Sequence, residues 1–295
     1  MKNIDKALKI SITLIVISFL ISLLILSKLN LDKPVFLKNY KEVEIIENEG
    51  SLSTSGYDIE LKYISNREDK RKVSSITFKE EPKLNFYASE NNSGGLMRFY
   101  NYSNDNIENH GRYGVHTVFL NLNSQNYGYD LSNNIVLSEA TITFNDGLTI
   151  DVDLGKIILY KNDRNEGHLT SMADINDTSG VSKKGIFVSE YIRVSNVYSS
   201  LFSEIGEFFN FNINKVGNLD SRDTIYNGNE NLYFTYKFSD ISDISMKLYS
   251  YDIKPVIYFK DRNEKEYKKR IDNIMYNPNF SFYDIYKYLR VKGEI

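Results

Sequence analysis

The sequence predicts a mainly β protein in which an N-terminal transmembrane helix is followed by two tandem β-sandwich domains and a short C-terminal helix. Three observations carry the prediction. Residues Ile10–Leu26 form an uncharged apolar run. Beyond residue 40, apolar residues recur at period two between turn clusters rich in Asn, Asp and Gly. Two hairpin-like stretches, 115 residues apart, match position by position.

The helix comes first. Of the seventeen residues ISITLIVISFLISLLIL, thirteen are Ile, Leu, Val or Phe. The other four are Ser or Thr, whose hydroxyls a helix returns to its own carbonyls in lipid. No charge falls between Lys9 and Lys28. As a helix that span is roughly 27 Å long, enough for the hydrocarbon core of a bilayer, and the two lysines can reach its interfaces. A cleaved signal peptide would need small residues at a cleavage site, which SLLILSKLN lacks. Lysines flank both sides in similar number: Lys2, Lys6 and Lys9 before the run, Lys28, Lys33, Lys38 and Lys41 after it. Charge alone therefore does not orient the anchor. A short leading tail and a long following domain favour residues 1–9 in the cytoplasm and the body outside it.

Composition bounds the rest. The 295 residues are 41% hydrophobic and 25% charged, an ordinary globular balance. With no Cys, disulfides, thiol catalysis, lipoprotein anchoring and Cys-based metal sites are excluded. A Cys-free exported chain rich in Ile, Lys, Asn and Tyr suits a bacterial cell envelope. The net charge of −3, with signs mixed along the chain, argues against a nucleic-acid partner. The 23 Tyr and 17 Phe suit half-buried strand faces.

Asn30–Tyr40 reads as a polar lead-out from the membrane. Strands are predicted at Tyr57–Ile64, Val73–Phe78, Leu84–Tyr87, Leu96–Tyr100 and Tyr113–Asn123, with NREDKRK and KEEPK as charged turns. Ala140–Phe144 and Leu148–Leu154 flank Asn145-Asp146-Gly147, a strong hairpin signal because Gly accepts the positive φ of the turn. After Gly155 the apolar parity changes, which predicts a bulge. Lys161–Lys184 lacks periodicity and reads as a linker or long loop. Strands resume at Gly185–Val194, with a short helix at Ser199–Glu207 and further strands at Phe208–Asn214, Asn231–Phe238, Ile244–Ile253, Pro255–Phe259 and Lys265–Ile271. Ser281 and Asp284 resemble a helix cap, followed by Phe282, Ile285, Tyr286 and Leu289 at helical spacing and Gly293 as a stop.

The hairpins repeat. Phe144 is followed by Asp146, Ile150, Leu154, Ile157 and Leu159; Phe259 is followed by Asp261, Tyr267, Ile271, Ile274 and Tyr276, each apolar position displaced by two. The spacing is that of one immunoglobulin-sized domain. The expected organisation is a cytoplasmic tail (1–9), a signal-anchor helix (10–27), a juxtamembrane segment (28–40), a β-rich domain (41–162), a linker or loop (163–184) and a second β-rich domain with the terminal helix (185–295).

No catalytic, cofactor-binding or metal-binding residue is assigned. His110 and His116, if extended, share a face but lie about 20 Å apart, and with His168 they read as ordinary surface histidines. Asp151 and Asp153, about 7 Å apart on one strand face, could serve as acid and base or hold a cation, but match a solvated face better. Lys265, Lys268, Lys269 and Arg270 read as a charged edge strand, with contact to anionic lipid or polymer as the functional alternative. Tyrosines of Arg98–Ser103, with Tyr113, could stack on sugars, though ordinary strand packing accounts for them better. There is no G-x-S-x-G, no P-loop and no zinc spacing. The expectation is a single-pass anchored extracytoplasmic protein, not an enzyme, that binds, senses or scaffolds at the envelope. Its partners are the bilayer through Ile10–Leu26 and a protein or envelope polymer. The alternative is a membrane-tethered enzyme acting on envelope polymer.

Overall fold

The period-two pattern becomes strands. In Ile59–Asn66, Ile59, Leu61 and Tyr63 are buried while Glu60 and Lys62 are not. The structure, a computed structural model, describes residues 2–48, 51–54, 59–90, 107–122, 133–161, 167–176, 181–215, 224–239 and 242–295. The strand expected at Leu96–Tyr100 lies outside them. The protein is mainly β, with four sheets among the described residues.

The first sheet runs in the order Val35–Phe36, Ile59–Asn66, Tyr113–Leu122, Phe86–Ser89, and Ile107–His110 also pairs with Tyr113–Leu122. The second runs Ile274–Tyr276, Ser250–Ile253, Asn39–Asn48, Thr149–Lys161, Ile135–Phe144, Val73–Phe78, with Ser51–Thr54 beside Asn39–Asn48. Leu61, Tyr63 and Leu120 of the first sheet and Ile142, Phe144 and Leu159 of the second share one core. The third sheet runs Leu169–Asn176, Ser182–Val188, Glu230–Phe238, Phe209–Lys215, and the fourth Ile225–Tyr226, Ile192–Tyr198, Val256–Lys260, Glu266–Arg270. Val188 and Phe234 of the third meet Ile192, Ile257 and Phe259 of the fourth in a second core.

The two groups of strands are joined by more than a linker. Ser250–Ile253, from the second half of the chain, pairs in parallel with Asn39–Asn48 of the first, and Ile274–Tyr276 extends the same sheet. Leu31, Val35, Leu37, Ile64, Tyr113 and Val115 enter the second core beside Ile285, Tyr288 and Leu289 of the C-terminal helix. The segment expected as a polar lead-out is thus packed: Leu31 is 4% and Leu37 1% exposed.

The first hairpin forms as expected, with Thr143 opposite Thr149. The predicted bulge is there as well: the register shifts between Asp153 and Ile157, and Gly155 has φ 88°. A Cβ at Gly155 would stand 2.5 Å from the Asn39 carbonyl oxygen, so the bulge is what lets Asn39–Asn48 approach. The second hairpin pairs Lys260 with Glu266. Its change of parity has a different cause. The chain leaves the fourth sheet after Arg270, turns through Asn273 at φ 59°, and joins the second sheet at Ile274.

Three expectations are corrected. The linker contains a strand, Leu169–Asn176, paired with Ser182–Val188 and interrupted by a register shift between Ser171 and Asp174. It lies at a sheet edge, and the register shift in its middle breaks whatever alternation its apolar residues would show. Gly185–Val194 is two strands, which pass from the third sheet to the fourth around residues 189–191. Ile244–Leu248 is a helix, not a strand: Asp243 caps it by accepting from the Ser245 amide at 2.8 Å, and Ile244 and Leu248 are buried four residues apart. The C-terminal helix Phe282–Lys292 has the predicted Ser281 cap and Gly293 at φ 73°.

Candidate functional site

Polar groups from three parts of the chain converge at the foot of the N-terminal helix. The helix spans Lys2–Lys28. Its described side chains from Ile10 to Leu23 are all exposed, from 47% at Leu23 to 68% at Ile15 among the large hydrophobics. Ser22 Oγ donates to the Ser18 carbonyl at 2.9 Å, the self-satisfaction expected of hydroxyls in an apolar helix. Residues 24–26 of the predicted span lie outside the described side chains. Among the described residues, no helix is long and apolar enough to cross a membrane.

Immediately after the helix the chain is gripped. The Leu31 amide donates to Asn66 Oδ1 at 3.0 Å, and Asn66 Nδ2 donates to the Leu31 carbonyl at 2.7 Å, so one side chain satisfies both backbone groups of Leu31. Tyr113 donates its hydroxyl to the Leu29 carbonyl at 2.8 Å. Arg112 Nη2 donates to Asn30 Oδ1 at 2.6 Å, and the Arg67 amide to the Arg112 carbonyl at 2.8 Å. A cleft of about 690 Å³ opens here, lined by Asn30, Arg67, Asp69, Arg71, Gly111 and Arg112 among others. Arg71 holds Asp69 bidentately, with Nη2 2.6 Å from Oδ2 and Nε 2.9 Å from Oδ1. Burial alone would raise the Asp69 pKa, but the Arg71 hydrogen bonds and charge outweigh it and hold the carboxyl below its usual range.

A second constellation lies in the core shared by the first and second sheets. His116, read from sequence as a surface residue, is 3% exposed and stacks on Tyr63 at 4.5 Å. Its Nε2 is 2.9 Å from Ser65 Oγ, and its Nδ1 is 3.8 Å from Glu90 Oε2. The order Ser, His, Glu has the look of a nucleophile, base and orienting acid. Two facts disqualify it in this arrangement: Ser65 is 1% exposed, and Nδ1 lies beyond hydrogen-bond reach of the carboxylate. Glu90 instead accepts from the Tyr63 hydroxyl at 2.8 Å and the Val73 amide at 2.7 Å. Burial, reinforced by the Glu90 carboxylate, keeps the Tyr63 phenol protonated. The group ties strands together across the core.

The other sequence candidates disperse. His110 and His116 do not share a face: His110 pairs with Tyr113 across the turn at Gly111-Arg112, which puts it and His116 on opposite sides of the hairpin. His168 sits apart, edge-on to Tyr267. No group of three potential ligands is assembled among the described residues. Asp151 and Asp153 do border one shallow groove with Lys38 and Tyr288. Thr141 and then Lys79 pull the Asp151 pKa down; for Asp153, burial is outweighed by Lys38 and the Gly155 amide. Two carboxylates held ionised make a poor general acid.

Of the basic cluster, Glu266–Arg270 is indeed an edge strand. Lys269 is buried, and Arg270 stacks over Tyr160 at 3.6 Å and donates to the Lys254 carbonyl. Tyr113 is fully buried and presents no stacking face to a sugar. The tyrosines of 98–103 lie outside the described residues. Sequence reasoning missed Ser65, Asn66, Glu90 and Arg112. No spacing links them, because the fold alone brings Asn66 to Leu31, Arg112 to Asn30, and Ser65 and Glu90 to His116.

No protein-family model matches the sequence, and no curated protein matches it. Among the solved structures that are similar at low level are two of comparable length. A protein of unknown function from Porphyromonas gingivalis W83 shares 8% identity over 80% of this chain and 97% of its own, with a TM-score of 0.22. The D00-D0 domain of intimin shares 10% identity over 83% of this chain and 99% of its own, with a TM-score of 0.20.

Proposed function

We propose that the protein is a single-pass, membrane-anchored extracytoplasmic protein that binds, senses or scaffolds at the cell envelope without catalysing a reaction. Residues before Ile10 lie on the cytoplasmic side, Ile10–Leu26 spans the bilayer, and the sheets form two immunoglobulin-like sandwiches outside. The observation that carries this reading is the helix Lys2–Lys28: its described apolar side chains stand exposed on every side, and its foot is bonded into the β body. Apolar surface of that extent is costly in water and at home in lipid. The attachment also suits a body held at a set height above the bilayer. Alkaline extraction of membranes, followed by protease treatment of intact cells, tests the reading. The chain should remain with the membrane and the body should be cut from outside. Release by alkali, or cleavage only after lysis, would overturn it.

A further inference from the structure

We propose that the cleft at the foot of the helix binds the phosphate of an acidic phospholipid headgroup. The proposal rests on the anchored reading above. Three stretches distant in sequence meet there: the helix end at Asn30, the loop Arg67–Arg71 and the turn Gly111-Arg112. Asn30 is two residues past the last helical residue, so a helix that crosses the bilayer places the cleft at headgroup depth.

The charge is of the right sign. Arg67, Arg71 and Arg112 line the cleft against Glu68 and Asp69, and Lys28 ends the helix two residues before Asn30. Asp69 is engaged by Arg71. Arg112 is held by Asn30 through Nη2, while its Nε and Nη1 are shielded from water with no hydrogen-bond partner among the described residues. Donors left unmade at the wall of the cleft carry a cost that a phosphate oxygen, admitted by a small movement of the wall, would relieve. The turn that carries Arg112 is pre-set. Gly111 has φ 66°, and a Cβ there would come 2.9 Å from the Phe282 ring. Arg67 is exposed at the lip of the cleft, and Lys70 is exposed on the same loop. Basic groups this close to an anionic leaflet each strengthen attachment by about fivefold. In sequence, Asn66–Lys72 is only a charged turn; its place beside the helix end is what gives it a ligand.

The test uses the full chain in lipid nanodiscs, either of pure phosphatidylcholine or containing phosphatidylglycerol, with amide hydrogen exchange read at 66–72 and 111–113. Exchange should slow about fivefold in the anionic discs. High salt, or the exposed-lip variant Arg67→Gln/Lys70→Gln, should abolish the difference. The tyrosine near-UV spectrum of that variant reports that it is folded. Equal exchange in both kinds of disc overturns the proposal. Equal protection by inorganic phosphate in detergent also overturns it, since the site would then be one for free anions. A chain that fails to enter discs of either composition overturns the anchored reading itself, an outcome distinct from failure of the lipid contact.

Discussion

Lys41 offers a measurable consequence of how the second sheet packs. It sits in strand Asn39–Asn48, is 8% exposed, and donates from Nζ to the Glu60 carbonyl at 2.6 Å. Burial lowers its pKa from 10.5 to about 8, against the opposing attraction of Glu60 and Asp252. With the folded pKa below the unfolded one, the charge costs stability wherever both states are protonated. That cost is complete below about pH 8 and is relieved as pH rises towards 10.5. The gap between 10.5 and about 8 corresponds to roughly 3 kcal/mol. Lys41→Met keeps the length of the side chain and removes the charge. In urea titrations followed by tyrosine near-UV circular dichroism, the variant should gain on the native protein at neutral pH. That gain should shrink by roughly 2–3 kcal/mol as pH approaches about 10. The buried phenols of Tyr160 and Tyr251, pushed up by burial, destabilise the fold at high pH in both proteins and cancel in the difference. A difference that does not vary with pH would refute the reasoning, because Lys41 would then be as well solvated in the folded chain as in the unfolded one.

Gly155→Ala should cost more than about 2 kcal/mol, since it combines a positive φ with a clash against the Asn39 backbone; an unchanged urea midpoint would show that the two strands can separate there without penalty. Asn66→Ala removes both bonds to Leu31 and should cost about 2 kcal/mol, with faster amide exchange at Leu31 while Phe144 and its neighbours stay protected. Asn66→Asp, which can still accept but cannot donate, should recover part of that loss. Ser281→Ala deletes the cap of the C-terminal helix, whose Oγ accepts from the Asp284 amide at 3.1 Å; a loss of about 1 kcal/mol in chemical denaturation is expected.

What was legible in the chain was local. Gly147, Gly155, Ser281 and Gly293 each announce a turn, a bulge or a helix end through their own conformational preferences, and each does so where expected. Strands with one buried face, such as Ile59–Asn66, alternate and can be read directly. Tyr113–Leu122 reads less cleanly because part of it is covered on both sides: Val118 and Leu120 face the first core, Tyr113 and Val115 the second. Ile244–Leu248 misled because a single helical turn and a short strand present the same few apolar residues, and only the Asp243 cap separates them. The charged run Asn66–Lys72 is visible as a turn but not as the neighbour of the N-terminal helix.

The sequence by itself determined the apolar helix, the mainly β body, both hairpins and the terminal helix, because these depend on periodicity and on single residues with strong backbone preferences. Only the tertiary structure decided how the helix is joined to the body and which polar groups meet. Leu31 with Asn66, Ser65 with His116, and Asn39–Asn48 with Ser250–Ile253 are pairings across 35, 51 and about 200 residues. Their geometry comes from the order of strands in the sheets, which joins segments far apart in the chain through backbone groups that every residue supplies, so no local pattern of side chains encodes it.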